Sequence, residues 1–286
     1  MIMKIGCGLF GLGKEMQKDF TGTMVRLKEY GFSAVEPILC LGDMSKAKFP
    51  HQMPIWVRDM LWDCKKIKEI QPILIANGLE ISSAHVNFIF GKTPVESVSD
   101  LLKFSEETGI RHYITSMNFS DCEHAEFAAD QLSKANQLLN LNGVTLSYHN
   151  HETECQTIQT SQGVMTAMDY FMKQSDRCVT IQLDAGWMMY GNEDVINFIE
   201  LYKERIISIH LKDFKEGYEY LGRDEGFVPV GQGVLPTDDI LKNISQIKMM
   251  EYGLMIDQDM AEKGTNILDN LKTGIDYVKK RSVRND

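Results

Sequence analysis

The sequence predicts a (β/α)8 TIM barrel, folded as one domain over residues 1–286. Three observations predict it. Short β-branched or apolar runs alternate with longer amphipathic stretches along the whole chain, the pattern of βα units around a parallel sheet. Glycines recur where an amphipathic stretch gives way to the next short run, as a helix C-terminus requires. A chain of 286 residues also has the size at which an α/β barrel forms around one large core.

Taken in order, the first strand is expected over Lys4–Leu9, and Gly31 ends the helical stretch before the second, Ala34–Ile38. Ile81–Val86 follows Gly78, Tyr113–Met117 follows Gly109, and Thr145–His149 follows Gly143. Val179–Asp184, Ile206–His210 and Gly253–Asp257 complete the set of eight. Between the fourth and fifth strands, Phe127, Leu132, Ala135, Leu138 and Leu139 recur at helical intervals and predict a face that covers the barrel. A doubly wound open sheet would also alternate β and α, but it favours a glycine-rich turn after strand one. Gly11-Leu12-Gly13 lacks the GxGxxG pattern and runs into Lys14. The longest aperiodic stretch, Phe214–Pro236, follows strand seven on the face where barrel active sites are built, so it is expected to be a lid or substrate loop.

A formal net charge of −10 opposes long-range attraction to phosphate backbones and anionic membranes, so neither nucleic acid nor membrane is an expected partner. No apolar run approaches the roughly 20 residues of a membrane helix. The first ten residues lack a signal-peptide core, and a cytoplasmic protein is expected. The six cysteines have no CxxC spacing, which argues against a disulfide framework or zinc knuckle.

The chemistry is concentrated at the C-terminal ends of four consecutive strands: His149 after strand five, Asp184 after six, His210 after seven and Asp257 after eight. Neighbouring strands lie about 4.8 Å apart, so side chains from their tips can converge on one cation. A lone Asp after a strand is ordinarily a helix cap, and a lone His an ordinary hydrogen-bonded group. Four such residues at equivalent strand ends point instead to one divalent metal ion, and two imidazoles with two carboxylates suit Mn, Zn, Co or Fe better than Ca or Mg. His151 and Glu154 stand close by in sequence as candidate proton-transfer groups. Which of His149 and His151 faces the ion depends on where strand five ends; His149 is the expected ligand. Lys212, two residues after His210, can offer its ammonium to a substrate anion or developing oxyanion. Glu36 and His85 end strands two and three on the same face, as candidates for binding sugar hydroxyls or for structural hydrogen bonds. Trp187 could form an apolar wall against a sugar or pack on a neighbouring helix. Gly231 and Gly233 fit either a phosphate cradle or tight turns. Arg205 precedes strand seven and belongs to the opposite, stability-bearing face.

Several strings resemble the xylose isomerase-like barrel superfamily of sugar-phosphate isomerases and epimerases, which also holds inosose dehydratase-like and tagatose epimerase-like enzymes. They are Gly31-Phe32-Ser33-Ala34-Val35-Glu36, Ser83-Ala84-His85-Val86, Tyr148-His149-Asn150-His151 with Glu154, Ile209-His210-Leu211-Lys212-Asp213-Phe214, Pro229-Val230-Gly231-Gln232-Gly233-Val234 and Met255-Ile256-Asp257-Gln258-Asp259. The resemblance covers nearly the whole chain and implies a metal ligand at each of strands five to eight, a carbohydrate substrate, and a homo-oligomer, dimer or tetramer. The chain departs from it in three places. Epimerases of the superfamily present Glu at the ends of strands five and eight, as a pair of proton-transfer bases, where this chain has His149 and Asp257. Relatives often carry His three residues after the strand-six Asp, where this chain has Trp187.

The expected activity is therefore a metal-dependent isomerase or epimerase of a sugar or sugar derivative, working through an enediolate-type intermediate. The alternative is a metal-dependent lyase or dehydratase of a keto-sugar or keto-glycoside. A multinuclear nuclease of similar fold would need more ligands and basic loops than seven histidines and net acidity provide.

Overall fold

The computed structural model describes residues 5–41, 60–86, 92–244, 247 and 253–282. Lys4, the first residue of the expected strand one, lies outside them. Eight parallel strands form the sheet: β1 (Ile5–Gly8), β2 (Ala34–Glu36, resumed at Ile38–Leu39), β3 (Glu80–Ile81, resumed at Ala84–Val86), β4 (His112–Thr115), β5 (Thr145–His149), β6 (Ile181–Asp184), β7 (Ile206–Leu211) and β8 (Leu254–Ile256). Pairing runs from β3 through β4, β5, β6, β7, β8, β1 and β2 and returns to β3, so the sheet curls around on itself. Pro37 has no N–H to give and interrupts β2. The closure spans that break through backbone bonds from Ser82 N to Val35 O (3.3 Å) and from His85 N to Pro37 O (2.9 Å). A short extra strand, Leu61–Trp62, pairs with the second half of β2.

One principal helix follows each strand: α1 (Phe20–Tyr30), α2 (Cys64–Ala76), α3 (Val98–Thr108), α4 (Cys122–Leu139), α5 (Ala167–Gln174), α6 (Val195–Tyr202), α7 (Thr237–Asn243) and α8 (Ile267–Ser282). Asp19, Asp63, Asp121, Thr166 and Asp194 cap the starts of α1, α2, α4, α5 and α6 by accepting backbone N–H bonds. Gly31, Gly78, Gly109 and Gly143 all take left-handed φ, between 67° and 97°, ahead of the following strands, as their recurrence predicts. The face of α4 differs from the expected one. Ala125, Ala128, Ala129, Leu132, Ala135 and Leu139 are buried, whereas Phe127 and Leu138 are about half exposed. Small alanines let the helix axis approach the sheet. Buried Asn136 then reaches β5, donating to Leu146 O (2.8 Å) and accepting from Leu146 N (3.0 Å).

The strand register determines what meets inside. Asp184 pairs with His210, His149 with Gln182, and Gly8 with Glu36. A period of two along each strand then points Gln182 with Asp184, and His210 with Ser208, toward the same side. At the opposite end, Arg205 donates to Val179 O, Met172 O and Ser175 Oγ at 2.7–2.8 Å, which places it in the stability-bearing floor as expected. All six cysteines are free thiols, and no described helix is long and apolar enough to cross a membrane.

Candidate active site

The tips of β5 to β8 converge. His149 Nε2 lies 3.6 Å from Asp184 Oδ2, and His210 Nδ1 lies 3.4 Å from Asp257 Oδ2. All four residues are buried. Asp184, His210 and Asp257 each offer a ligand atom within 4.8 Å of the others, and His85, His149 and His210 form a second such trio sharing His210. Asp184 acts both as helix cap and as site residue. Its Oδ1 accepts from Trp187 N (2.8 Å) to cap the short helix Ala185–Tyr190, and its Oδ2 is left buried without a hydrogen bond.

The imidazoles are oriented from behind. His149 Nδ1 bonds Gln182 Oε1 (2.8 Å), and His210 Nε2 bonds Glu36 Oε1 (2.8 Å), so His149 Nε2 and His210 Nδ1 face the carboxylates. His210 Nδ1 is buried with no hydrogen-bond partner, like Asp184 Oδ2. Asp184 Oδ2 lies 3.2 Å from Lys212 Nζ and His210 Nδ1 lies 3.4 Å from Asp257 Oδ2; these buried atoms, with the imidazoles braced by a Gln and a Glu, are of the types that coordinate a divalent cation. Glu36 also meets His85 Nε2 (2.9 Å) and Gln182 Nε2 (2.7 Å), and accepts from Ser83. The Glu36 carboxyl is buried, but the charges of His85 and His210 hold it well below the usual carboxylate range. In return His210 is pushed up to about 10: burial opposes its charge, and Glu36 and Asp257 outweigh burial. A Cβ on Gly8 would sit 2.2 Å from Asp257 Oδ1, so only glycine there lets the Asp257 carboxylate in.

Above these residues opens a cavity of about 240 Å³, lined among others by Glu36, His85, Ser116, His149, His151, Trp187, His210, Lys212, Arg223, Asp257 and Asp259. His151 stands beside His149 with ring centroids 5.1 Å apart, so the end of β5 and the loop that follows it bring both to the cavity. Burial, together with the charges of Lys212 and Arg223, pushes His151 down to about 3, so its imidazole is neutral around pH 7, and its Nδ1 has no hydrogen-bond partner. Lys212 is almost fully buried, its Nζ 3.2 Å from Asp184 Oδ2, 3.0 Å from Asp257 Oδ2 and 2.9 Å from Asp259 Oδ2.

Glu154 differs from its expected place. It does not line the cavity; fully buried, it accepts from the Tyr148 hydroxyl and from His151 N (3.0 Å), bracing the loop that carries His151. Trp187 does line the cavity, and it also packs against Phe214 and Phe227. The glycine turn cradles no external anion. Gly231 N, Gly233 N and Leu235 N all donate to the Asp213 carboxylate at 2.9 Å, which fills the nest. The expected loop after β7 contains a short hairpin, Asp213–Phe214 with Phe227–Val228, and carries Arg223 over the Trp187 ring at 4.0 Å while bonding Glu152.

Sequence reading missed Gln182, Asp259 and Arg223. The first two had a signal, because each lies two residues from a predicted ligand and therefore on its side of an extended chain. Arg223 had none, since an aperiodic loop does not reveal where its side chains turn.

The sequence pattern of the xylose isomerase-like TIM barrel family matches residues 24–281. Among curated proteins, an inosose dehydratase of Clostridium perfringens is 25% identical over 165 residues, 54% of each chain. The match thus spans about half the length of that relative. Among solved structures, a sugar phosphate isomerase/epimerase of Parabacteroides distasonis superposes with TM-score 0.74 at 19% identity, covering 98% of this chain and 94% of that one. The probable 3-DHS dehydratase AsbF of Bacillus anthracis gives 0.65 at 13%, covering 98% and 100%. An L-ribulose 3-epimerase gives 0.61 at 14%, covering 99% and 96%.

Proposed function

This chain belongs to the xylose isomerase-like TIM barrel family, and on that premise we propose that it is a divalent-metal-dependent isomerase or epimerase of a sugar or sugar derivative, acting through an enediolate-type intermediate. The observation that supports the reading is the convergence of the buried His149, Asp184, His210 and Asp257 side chains at the tips of β5 to β8. These four would hold Mn, Zn, Co or Fe. Once bound, such an ion supplies Lewis acidity that lowers the pKa of a C–H beside a carbonyl.

The chain's own residues supply the rest. His151, neutral at working pH and lining the cavity, accepts the proton. Arg223 and Trp187 line the cavity and present a cationic and an apolar wall to a polyhydroxylated ligand. Glu36 and Gln182 keep the donor nitrogens of His210 and His149 aimed inward. Glu154 positions His151 through its backbone rather than moving a proton itself.

A second reading, dehydration of a keto-sugar or keto-glycoside, is favoured by the similarity to inosose dehydratase. The replacement of the epimerases' paired glutamates by His149 and Asp257 favours neither reading strongly, since dehydration needs the same base and adds only a proton for the departing hydroxyl. Both readings share the first proton abstraction. Incubation with Mn²⁺ and a panel of keto-sugars in deuterated water separates them, since deuterium uptake with an intact skeleton indicates isomerisation and loss of water indicates dehydration. Asp184→Ala and His210→Ala are expected to abolish stoichiometric metal binding while the circular dichroism spectrum stays native. Full metal occupancy in either variant removes that residue from the ligand set.

A further inference from the structure

We propose that Lys212 is a built-in competitor for the cation seat: its ammonium occupies the place between Asp184 and Asp257, and a divalent ion enters only as Lys212 withdraws to Asp259. The inference rests on the metal-centre reading and deepens it.

The geometry carries it. Asp184 Oδ2 and Asp257 Oδ2, the two oxygens that face His149 Nε2 and His210 Nδ1, are the same two that Lys212 Nζ touches at 3.2 and 3.0 Å. One pair of oxygens is thus shared between the imidazoles of a metal site and an ammonium. Two cations cannot share it, because in a buried, weakly screened site their mutual repulsion is large. The third carboxylate differs. Asp259 Oδ2, 2.9 Å from Nζ, pairs with neither imidazole, and its side chain is 16% exposed, on the cavity side of the cluster. The Trp187 ring, with its centroid 5.0 Å from Nζ, adds a face that tolerates a cation. Lys212 therefore has an inner position shared with the metal and an outer partner that the metal does not need.

The backbone supports this placement. A Cβ on Gly186 would lie 2.3 Å from Lys212 O, so the short helix Ala185–Tyr190 carries a glycine where the Lys212 backbone packs against it. The ammonium also offsets part of the charge of three carboxylates that would otherwise be buried together.

Titration of the EDTA-treated protein with Mn²⁺, read from the electron paramagnetic resonance of the free ion, tests the inference without reference to turnover. Lys212→Met is expected to lower the Kd for Mn²⁺ at least about tenfold, since a like charge leaves the seat. Asp259→Asn, which removes the outer partner, is expected to raise it at least about threefold. In the double variant Asp259→Asn should no longer matter, because no ammonium remains to be received. Thermal melts should agree: Mn²⁺ raises the Tm of Lys212→Met by more than that of the wild type.

An unchanged or higher Kd in Lys212→Met overturns the inference and leaves the metal centre standing. So does an effect of Asp259→Asn that is the same with and without Lys212. If Lys212→Met does not fold, an unchanged Kd in Asp259→Asn overturns it alone. Absence of Mn²⁺, Zn²⁺ and Co²⁺ binding in every protein, wild type and variants, removes the metal reading and this inference with it. Binding in Lys212→Met but not in the wild type overturns the withdrawal to Asp259, because the lysine then holds the seat permanently.

Discussion

Asp184 shows how one side chain can satisfy a local and a tertiary demand together. One oxygen caps a helix turn and the other remains for the site, so its role as a cap does not compete with its role as a ligand. Glu154 makes the complementary point, since a carboxylate next to catalytic candidates in sequence is spent on the backbone. Burial pushes it from 4.5 up to about 7. Between those values the folded chain holds a proton that the unfolded chain releases, so this contribution to stability is complete below pH 4.5 and is lost as pH rises through 7. At about 1.4 kcal/mol per unit, the loss amounts to at most about 3–4 kcal/mol. His151 acts in the opposite direction: held down from 6.5 to about 3, it adds stability as pH rises across that interval. The test is therefore the difference between wild type and Glu154→Gln in urea unfolding at pH 5 and pH 8. The wild type should lose stability relative to the variant, and parallel curves would refute the account. His151→Ala is expected to lower kcat by about 10²–10⁴ on the substrate the panel identifies while metal stoichiometry stays at the wild-type value. Loss of metal would instead make His151 a ligand.

At the scale of elements, the segment after β7 is organised by Asp213. Its carboxylate collects the N–H groups of Phe214, Gly231, Gly233 and Leu235, each at 2.9 Å, and so ties both ends of the loop that carries Arg223. Its truncation leaves four amide donors without their acceptor. Asp213→Ala is expected to cost about 2–4 kcal/mol in chemical denaturation and to lower kcat/KM by displacing Arg223 from the cavity. Retention of full activity would show that the loop is shaped by something else. Gly233 belongs to the same device, since a Cβ there would approach Phe214 O to 2.2 Å and Asp213 Oδ1 to 2.3 Å.

In the molecule as a whole, the two ends of the barrel divide the work. The C-terminal end gathers buried charge around a cavity, and at the N-terminal end Arg205 makes three hydrogen bonds that tie the floor together. Arg205→Met should therefore destabilise the fold by about 2–4 kcal/mol in urea unfolding while kcat/KM stays within roughly twofold of wild type. A large loss of activity at full stability would contradict the division. The face of α4 is also decided at this scale. Phe127 and Leu138 sit at helical spacing in the sequence yet face outward, because alanines give the closer approach that the Asn136 clamp on β5 needs.

By itself the sequence determined the order of strands and helices, the glycine stops, and the candidate set His149, Asp184, His210 and Asp257 at the C-terminal strand ends. Each of these follows from local chemistry and from a fixed repeat along the chain. The tertiary structure alone decided that Glu154 faces inward to Tyr148, that Gly231 and Gly233 serve Asp213, that Arg223 reaches Glu152 across Trp187, and that Lys212 stands among three carboxylates. Those contacts join residues brought together by barrel closure. A side chain's partner there depends on register and loop path, which no repeat in the sequence encodes.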